Sequence, residues 1–335
     1  MRSFKLPSSP RSAVIGLILA CVTTAPLAWA APVEPPLHLL HSGKNRLVEG
    51  IVKEINPPNR LVFERDKVIG EHADVPELID VIVDPATVQS VALNERYLFA
   101  YSSIHRDKRL PGKIALNKSG AVLVSSTGVE PALFRDSPSL RRLLAASDTE
   151  QERDSRRLLR LLLKSLQGKD TQLQYLAAAQ IALDADLGAL LSDRDKTALR
   201  RVVSDAASTT DTRYTLLHAA YRFPGLYGEW SLPVAQEVLA TTPLGGYSRD
   251  PWDPTGLVLL AFDIVQKPEA VLPKESISRW LRSPNRLFRE QSTRLLEIRF
   301  PGEQREVVVE ALRDPELNEE TRQYLDDQLR RIQRH

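Results

Sequence analysis

The side chains best suited to recognition chemistry are gathered in one unusual stretch, Gly245-Gly246-Tyr247-Ser248-Arg249-Asp250-Pro251-Trp252-Asp253-Pro254. Its glycines and prolines read as a loop, and loops held by a rigid scaffold carry function more often than the elements they join. Tyr247, Arg249, Asp250, Trp252 and Asp253 combine aromatic faces with both signs of charge, the usual anchor material of interfaces. A second loop, Pro224 to Trp230, repeats the theme with Tyr227 and Trp230. Aromatic faces beside carboxylates suit a sugar ring or a peptide, and the carboxylates suit acid–base hydrolysis of either. The two loops flank one helical segment, 232 to 240, so they project from opposite rims and do not share a pocket. The competing role for Trp230 and Trp252 is to fold back over helix ends. Asp250 and Asp253 lack the ladder of oxygen ligands that a calcium site requires.

Elsewhere the catalytic vocabulary is thin. The sequence contains no Gly-rich phosphate loop, no Gly-x-Ser-x-Gly elbow and no His-Glu-x-x-His helix. Cys21 is the single cysteine, which excludes an intrachain disulfide; a nucleophile in the rest of the chain would be Ser, Thr or a carboxylate with a placed base. His38 and His41 have the spacing of two metal ligands on a helical turn, but no third ligand accompanies them, and neither a metal nor another cofactor is expected. His218, between Leu217 and Ala219, reads as a hydrogen-bonded packing residue. Arg153, Arg157, Arg160 and Lys164 give the segment 150 to 166 a basic stripe that suits an anionic surface. Glu150, Glu152 and Asp154 precede them, however, and the helix dipole favours that order of charges on any solvated helix. Contact with an anionic surface is therefore the lesser reading.

Residues 1–30 read as an export signal: a basic start, the apolar run Ala13 to Val22, and the small-x-small site Ala28-Trp29-Ala30. That places the processed chain in the periplasm of a Gram-negative envelope, or outside the cell. In a second reading, Ile18-Leu19-Ala20-Cys21 resembles a lipobox and the protein is a lipoprotein anchored through Cys21. No later run approaches the roughly 20 apolar residues of a membrane span. Loss of Arg2, Lys5 and Arg11 takes the formal charge from +2 to −1, so nucleic acid is not an expected partner. The excess of Arg over Lys, 33 to 12, reads as the base composition of a GC-rich genome.

The elements that must position these side chains fall into two parts of a 335-residue chain, long enough for about two domains. Residues 31–45 are a Pro-rich lead-in. Residues 46–138 read as a small β domain, a barrel or sandwich with an OB-like barrel as first choice. Leu47 to Ile55 alternates, Asn56-Pro57-Pro58-Asn59 forces a turn, and further strand-like runs follow at 61–63, 79–83, 96–104, 113–116 and 121–124. Gly50 is where a barrel strand would bend. Residues 139–335 carry leucines at helical spacing and recurrent caps, in pairs whose second helices begin near 171, 211, 255, 286 and 319.

An internal repeat marks this half. Leu217 to Gly225 matches Leu295 to Gly302 around a shared Arg-Phe-Pro-Gly. With Tyr175-Leu176-Ala177-Ala178-Ala179-Gln180-Ile181-Ala182-Leu183 as a small-residue inner helix, residues 150–333 resemble the HEAT-repeat family. That resemblance implies an α-solenoid of about five helix pairs. It is nearly silent on activity, and the loop 241–254 departs from a uniform array. An extended helical surface without a catalytic constellation favours a non-enzymatic scaffold that binds an envelope protein. The alternative is an envelope hydrolase, or a glycan- or peptide-binding protein, that uses Tyr247 to Asp253.

Overall fold

The computed structural model describes residues 33–70, 74–103, 121–148, 152–245, 252–267 and 270–334. The export segment with Cys21, the strand expected at 113–116, and Tyr247, Arg249 and Asp250 lie outside the described residues. The Pro-rich lead-in forms a short helix, α1 (Pro36–His41), whose Leu37 and Leu40 are fully buried. It is thus part of the core and not merely a connection to it.

Six strands follow among the described residues: β1 (Arg46–Asn56), β2 (Arg60–Ile69), β3 (Leu78–Ile82), β4 (Arg96–Ser103), β5 (Ala121–Leu123) and β6 (Leu133–Arg135), with helix α2 (Pro85–Ser90) between β3 and β4. β1 pairs antiparallel with β2 on one side and with β4 on the other. β2 pairs with β3, β3 runs parallel to β5, and β5 returns to β4, so the ring β1-β2-β3-β5-β4 closes on itself. β6 adds to β4 outside that ring. Closure removes the unpaired edges that short strands would otherwise expose. The register of β1 with β2 shifts between Glu49 and Gly50, an irregularity that bends the strand. A Cβ on Gly50 would stand 2.8 Å from the Glu64 carbonyl oxygen and 3.2 Å from the Phe99 ring, which is why the bend falls on glycine.

The two-residue side-chain period sorts the strands between two cores. Val48, Val52, Leu61, Phe63, Val81 and Phe99 fill the barrel, where the rings of Phe63 and Phe99 stack at 4.2 Å. Leu47, Leu98, Ala100 and Phe134 face the other way and share a second core with the helices. Residues 34–335 accordingly form one compact unit.

The helical part runs α3 (Pro138–Ser147), α4 (Glu152–Leu166), α5 (Thr171–Leu183), α6 (Ala185–Ala189), α7 (Asp193–Ser204), α8 (Thr210–Arg222), α9 (Pro224–Tyr227), α10 (Ser231–Thr241) and α11 (Thr255–Val265). It continues with α12 (Lys274–Ser278), extended by a 3-10 turn (Arg279–Arg282), then α13 (Arg286–Arg299), α14 (Gln304–Leu312) and α15 (Glu319–Arg334). Side-chain caps set the starts. Asp170 accepts from the Leu173 N–H, Thr209 from Thr212, and Ser192 closes a capping box with Asp195. α4 packs on α5, α7 on α8, α10 on α11, the α12 segment on α13, and α14 on α15; α5, α8, α11 and α13 pack in succession. The shared Arg-Phe-Pro-Gly ends two of these helices alike. Phe223 and Phe300 have φ/ψ of −134°/62° and −131°/57°, and each donates its N–H four residues back at 2.9 Å.

The fourth residue of four helices, α5, α8, α13 and α15, donates to carbonyls left open before that helix. Gln174 Nε2 donates to Gly168 O at 2.7 Å and Arg213 Nε to Val203 O at 2.7 Å. Arg289 Nη1 donates to Ser283 O at 2.9 Å, and Arg322 reaches Leu312 O and Asp314 O at 3.3 and 3.2 Å. In α11 the position is Val258; there Arg279 serves the α10 terminus through Leu239 O and Thr242 O at 3.2 and 2.9 Å. A planar fork of five donors suits clustered carbonyls better than an ammonium. Part of the arginine excess therefore has a structural use.

Candidate functional site

The aromatic residues singled out by sequence divide sharply once folded. Tyr227 is 1% exposed and donates its hydroxyl to Ile181 O at 2.7 Å. Burial, with the Asp184 charge behind it, pushes that phenol up to about 12. Trp230 is also buried and donates its indole N–H to Tyr227 O at 2.7 Å. Tyr227 ties α9 to α5, Trp230 ties the start of α10 to α9, and both rings are spent on packing. Asp253 has a local duty, accepting from both the N–H and the hydroxyl of Thr255 at the start of α11. Among the described residues of this set, Trp252 is the broadly accessible one, at 49% exposure. It stands at the lip of a groove of about 650 Å³ that also involves Lys169, Gln174, Arg201 and Asp205.

On α4, Arg157, Arg160 and Lys164 are exposed, while Leu158, Leu159 and Leu162 are buried. The basic stripe is the solvated face of an amphipathic helix; the Arg153 side chain lies outside the described set. Among the described residues no cluster of three or more His, Cys, Asp or Glu could hold a metal ion. His38 Nε2 lies 3.8 Å from Asp184 Oδ2. His41 Nε2 lies 3.0 Å from Ser147 Oγ, and its Nδ1 lies 4.0 Å from Asp148 Oδ1. The order Ser147, His41, Asp148 has the outline of a nucleophile, base and orienting acid. Its hydrogen bonds run the wrong way. Ser147 Oγ donates to Leu144 O at 2.9 Å, which engages its proton away from the imidazole. The group also sits at the C-terminus of α3, where carbonyl dipoles oppose an oxyanion. His41 is a lock between α1 and α3.

Sequence reasoning missed the face of α8. His218 was expected to pack, but its neighbours Leu217 and Ala219 are buried while His218 itself is exposed. It follows Tyr214 by one turn and stacks on it, with ring centroids 5.9 Å apart and planes 2° from parallel. Partial desolvation of the ring by its neighbours, followed by the Arg222 charge, lowers its pKa, so the ring is neutral near pH 7. Tyr214, His218, Tyr221 and Arg222 line a groove of about 520 Å³ that crosses to Asp263 on α11 and Gln291 on α13. Lys267 Nζ covers the Tyr221 ring at 4.7 Å. The signal was present in the sequence as the spacing 214, 218, 221, read on one helix face.

At the start of α8, Asp211 lies near Glu130 of the barrel. Burial first, then the Asp211 charge, raises the Glu130 pKa, and burial raises that of Asp211. Burial first, then the Glu130 charge, pushes the Tyr175 phenol up to about 12. Two carboxyls of raised pKa are suited to proton transfer. Glu130 lines a shallow recess at the barrel mouth with Ser125 and Pro131, whereas Asp211 does not.

Comparison of the chain with protein-family models, curated proteins and solved structures gives no match.

Proposed function

We propose that this chain is an exported, non-enzymatic scaffold of a Gram-negative envelope, built from an OB-like barrel and an α-solenoid of HEAT-like helix pairs. An extended segment of another protein is its ligand. The observation that carries this reading is the groove that crosses three consecutive inner helices, with Tyr214 and His218 on α8, Asp263 on α11 and Gln291 on α13. Stacked helix pairs characteristically offer such a continuous surface. Aromatic rings with a neutral His, an Arg and a carboxylate suit a chain that carries both apolar and polar side chains.

The strand order β1-β2-β3-β5-β4, with α2 between β3 and β4, supports the OB-like assignment. The paired packing and the recurrent donor at the fourth residue of the inner helices support the repeat assignment. Among the described residues no helix is long and apolar enough to cross a membrane.

A photo-crosslinking residue at His218 or at Gln291 should trap one and the same partner, which a residue at Arg200, exposed on α7, does not trap. Tyr214→Ala should weaken that product. Equal products at all three positions would sink the scaffold reading, as would turnover of an envelope substrate abolished by Glu130→Gln alone. The mass of the N-terminus after export tests the compartment: a chain beginning at Ala31 fits signal cleavage, and an acylated Cys21 makes the protein a lipoprotein.

A further inference from the structure

We propose that the hollow between α3, α4 and the start of α5 is a binding site for a phosphate monoester. It shares no lining residue with the groove on α8, α11 and α13, so it stands or falls separately from the scaffold reading.

The first observation is an uncompensated charge. Arg142 of α3, Lys164 of α4 and Lys169 of the connection to α5 line one hollow. Residues 155–169 carry Arg156, Arg157, Arg160, Lys164 and Lys169 without an acidic residue, and no acid lies on α3. Among the described residues no carboxylate comes within ion-pairing distance of Arg142, Lys164 or Lys169. Asp170 is the carboxylate of the lining, and it is spent as the N-cap of α5, accepting from the Leu173 N–H at 3.1 Å. The helix dipole accounts for a cation in the last turn of α4, where Lys164 lies, but not for the other two. Arg142 is in the first half of α3, and Lys169 immediately precedes the N-cap of α5, where a cation is disfavoured. Three like charges around one hollow repel one another, and a bound anion relieves that repulsion.

The lining decides the class of anion. Arg142 is held by the first turn of its own helix, with Nε donating to Pro138 O at 3.1 Å and Nη2 to Ser139 Oγ at 3.5 Å, which leaves further N–H groups for a ligand. The Ser139 hydroxyl, also in the lining, accepts in that bond and keeps its own proton to donate. A guanidinium and two ammonium groups suit a phosphate monoester, which brings three terminal oxygens and close to two negative charges. A carboxylate brings fewer of both. Leu143, Leu161 and Leu173 make an apolar wall for the carbon side of the ester, and such walls strengthen the charge contacts beside them. The volume, about 190 Å³, is below the roughly 300 Å³ at which sites for whole drug-sized ligands begin, so the hollow takes a head group.

Calorimetric titration of the purified protein with glycerol phosphate at about 0.05 M salt tests this, with glycerate as the competing carboxylate. Saturable binding of glycerol phosphate is expected, at least about fivefold tighter than that of glycerate and weakened at least about tenfold when Arg142→Gln and Lys164→Gln are combined. Both residues are exposed, so the unfolding midpoint of the double variant should match that of the parent. Arg200→Gln removes an exposed cation of α7 outside the hollow and should leave the affinity unchanged. Sedimentation with phosphatidylcholine vesicles, plain or with about one-fifth phosphatidic acid, separates two sources of the ester. Retention by the acidic vesicles alone assigns a lipid head group, and binding in solution without that retention assigns a soluble ester. Three results would each overturn the proposal: no saturable binding of glycerol phosphate up to about 10 mM, an affinity changed no more by the double variant than by Arg200→Gln, or glycerate bound as tightly as the phosphate ester.

Discussion

A Cβ placed on Gly128, in the turn between β5 and β6, would stand 2.5 Å from the Cβ of Ala179 on α5. The same turn lies against α1, since the added atom would also meet Pro36 Cγ at 3.2 Å. Gly128 has φ +88°, a conformation that side chains disfavour. Gly128→Ala combines that penalty with overpacking and should cost about 2–4 kcal/mol in urea unfolding. A cost below about 0.5 kcal/mol would show that the barrel and α5 are not held together by this contact.

Glu49, on β1 and 2% exposed, accepts from Arg96 at 2.8 Å and from Arg141 of α3 at 2.5 Å. Each arginine keeps a second carboxylate, Asp66 for Arg96 and Asp136 for Arg141, and each side chain is nearly half exposed. Replacing Glu49 by Ala therefore frees cations that water can reach. The expected loss is about 2 kcal/mol, below the 3–5 that follow when a fully buried pair is broken. A double-mutant cycle of Glu49→Ala with Arg141→Ala measures the coupling between barrel and helix directly.

Arg289 behaves differently because its side chain is only 1% exposed. It donates to Ser283 O, Pro284 O and Thr321 Oγ1, and its guanidinium lies 5.2 Å from the centre of the Tyr324 ring. Lys cannot reproduce that fork, so Arg289→Lys should cost about 2–3 kcal/mol in denaturant unfolding. Glu320, its carboxylate partner at 2.5 Å, is 70% exposed; Glu320→Gln should change stability by less than about 1 kcal/mol. Equal effects of the two substitutions would show that the ion pair, and not the carbonyl contacts, carries the contribution of Arg289.

Acidification should loosen the α1 contact. Burial holds His41 below its ordinary 6.5, despite the opposing charge of Asp148. The unfolded chain therefore binds a proton first. This contribution is fully present above about pH 6.5 and is lost as pH falls through the lower folded value. His41→Gln should flatten stability between pH 7 and 5, measured as the urea midpoint, and an unchanged slope would remove His41 from that role.

Glu130 has the opposite sign, since burial raises its pKa above the ordinary 4.5. The folded state holds its proton more tightly, so the contribution present at low pH disappears as pH rises through the folded value. Glu130→Gln should raise the urea midpoint at pH 7 and leave it nearly unchanged at pH 4.

The helical half was legible because its signals are local. Second helices read as starting near 171, 211, 255, 286 and 319 begin at Thr171, Thr210, Thr255, Arg286 and Glu319. Caps and the leucine period act within a few residues, so they survive in the linear sequence. Strands were legible where they alternate over several residues, as in β1 and β4. Helix α3, strand β6 and the fold of α1 escaped notice; β6 has three residues and α1 is framed by prolines, and both gain their order from what they pack against.

The candidate site was less legible. Tyr227, Trp230 and Trp252 have similar composition around them, and sequence gives no rule for which ring turns inward. The structure buries Tyr227 and Trp230 because an unpaired carbonyl waits for each polar tip, Ile181 O for the phenol and Tyr227 O for the indole. It leaves Trp252 half-exposed beside a groove that Gln174, far away in sequence, also lines.

Sequence by itself therefore determined the element types, the order of a β part before a helical part, and the helix starts, because each follows from backbone and side-chain preferences within one or two turns. Tertiary structure alone decided that β1 closes a barrel onto β4, that Glu49 binds α3, that His218 faces a groove, and that Gln174 and Trp252 line one groove. Each of these depends on which distant surfaces meet, and that is set by the burial and hydrogen-bonding demands of the whole core acting together.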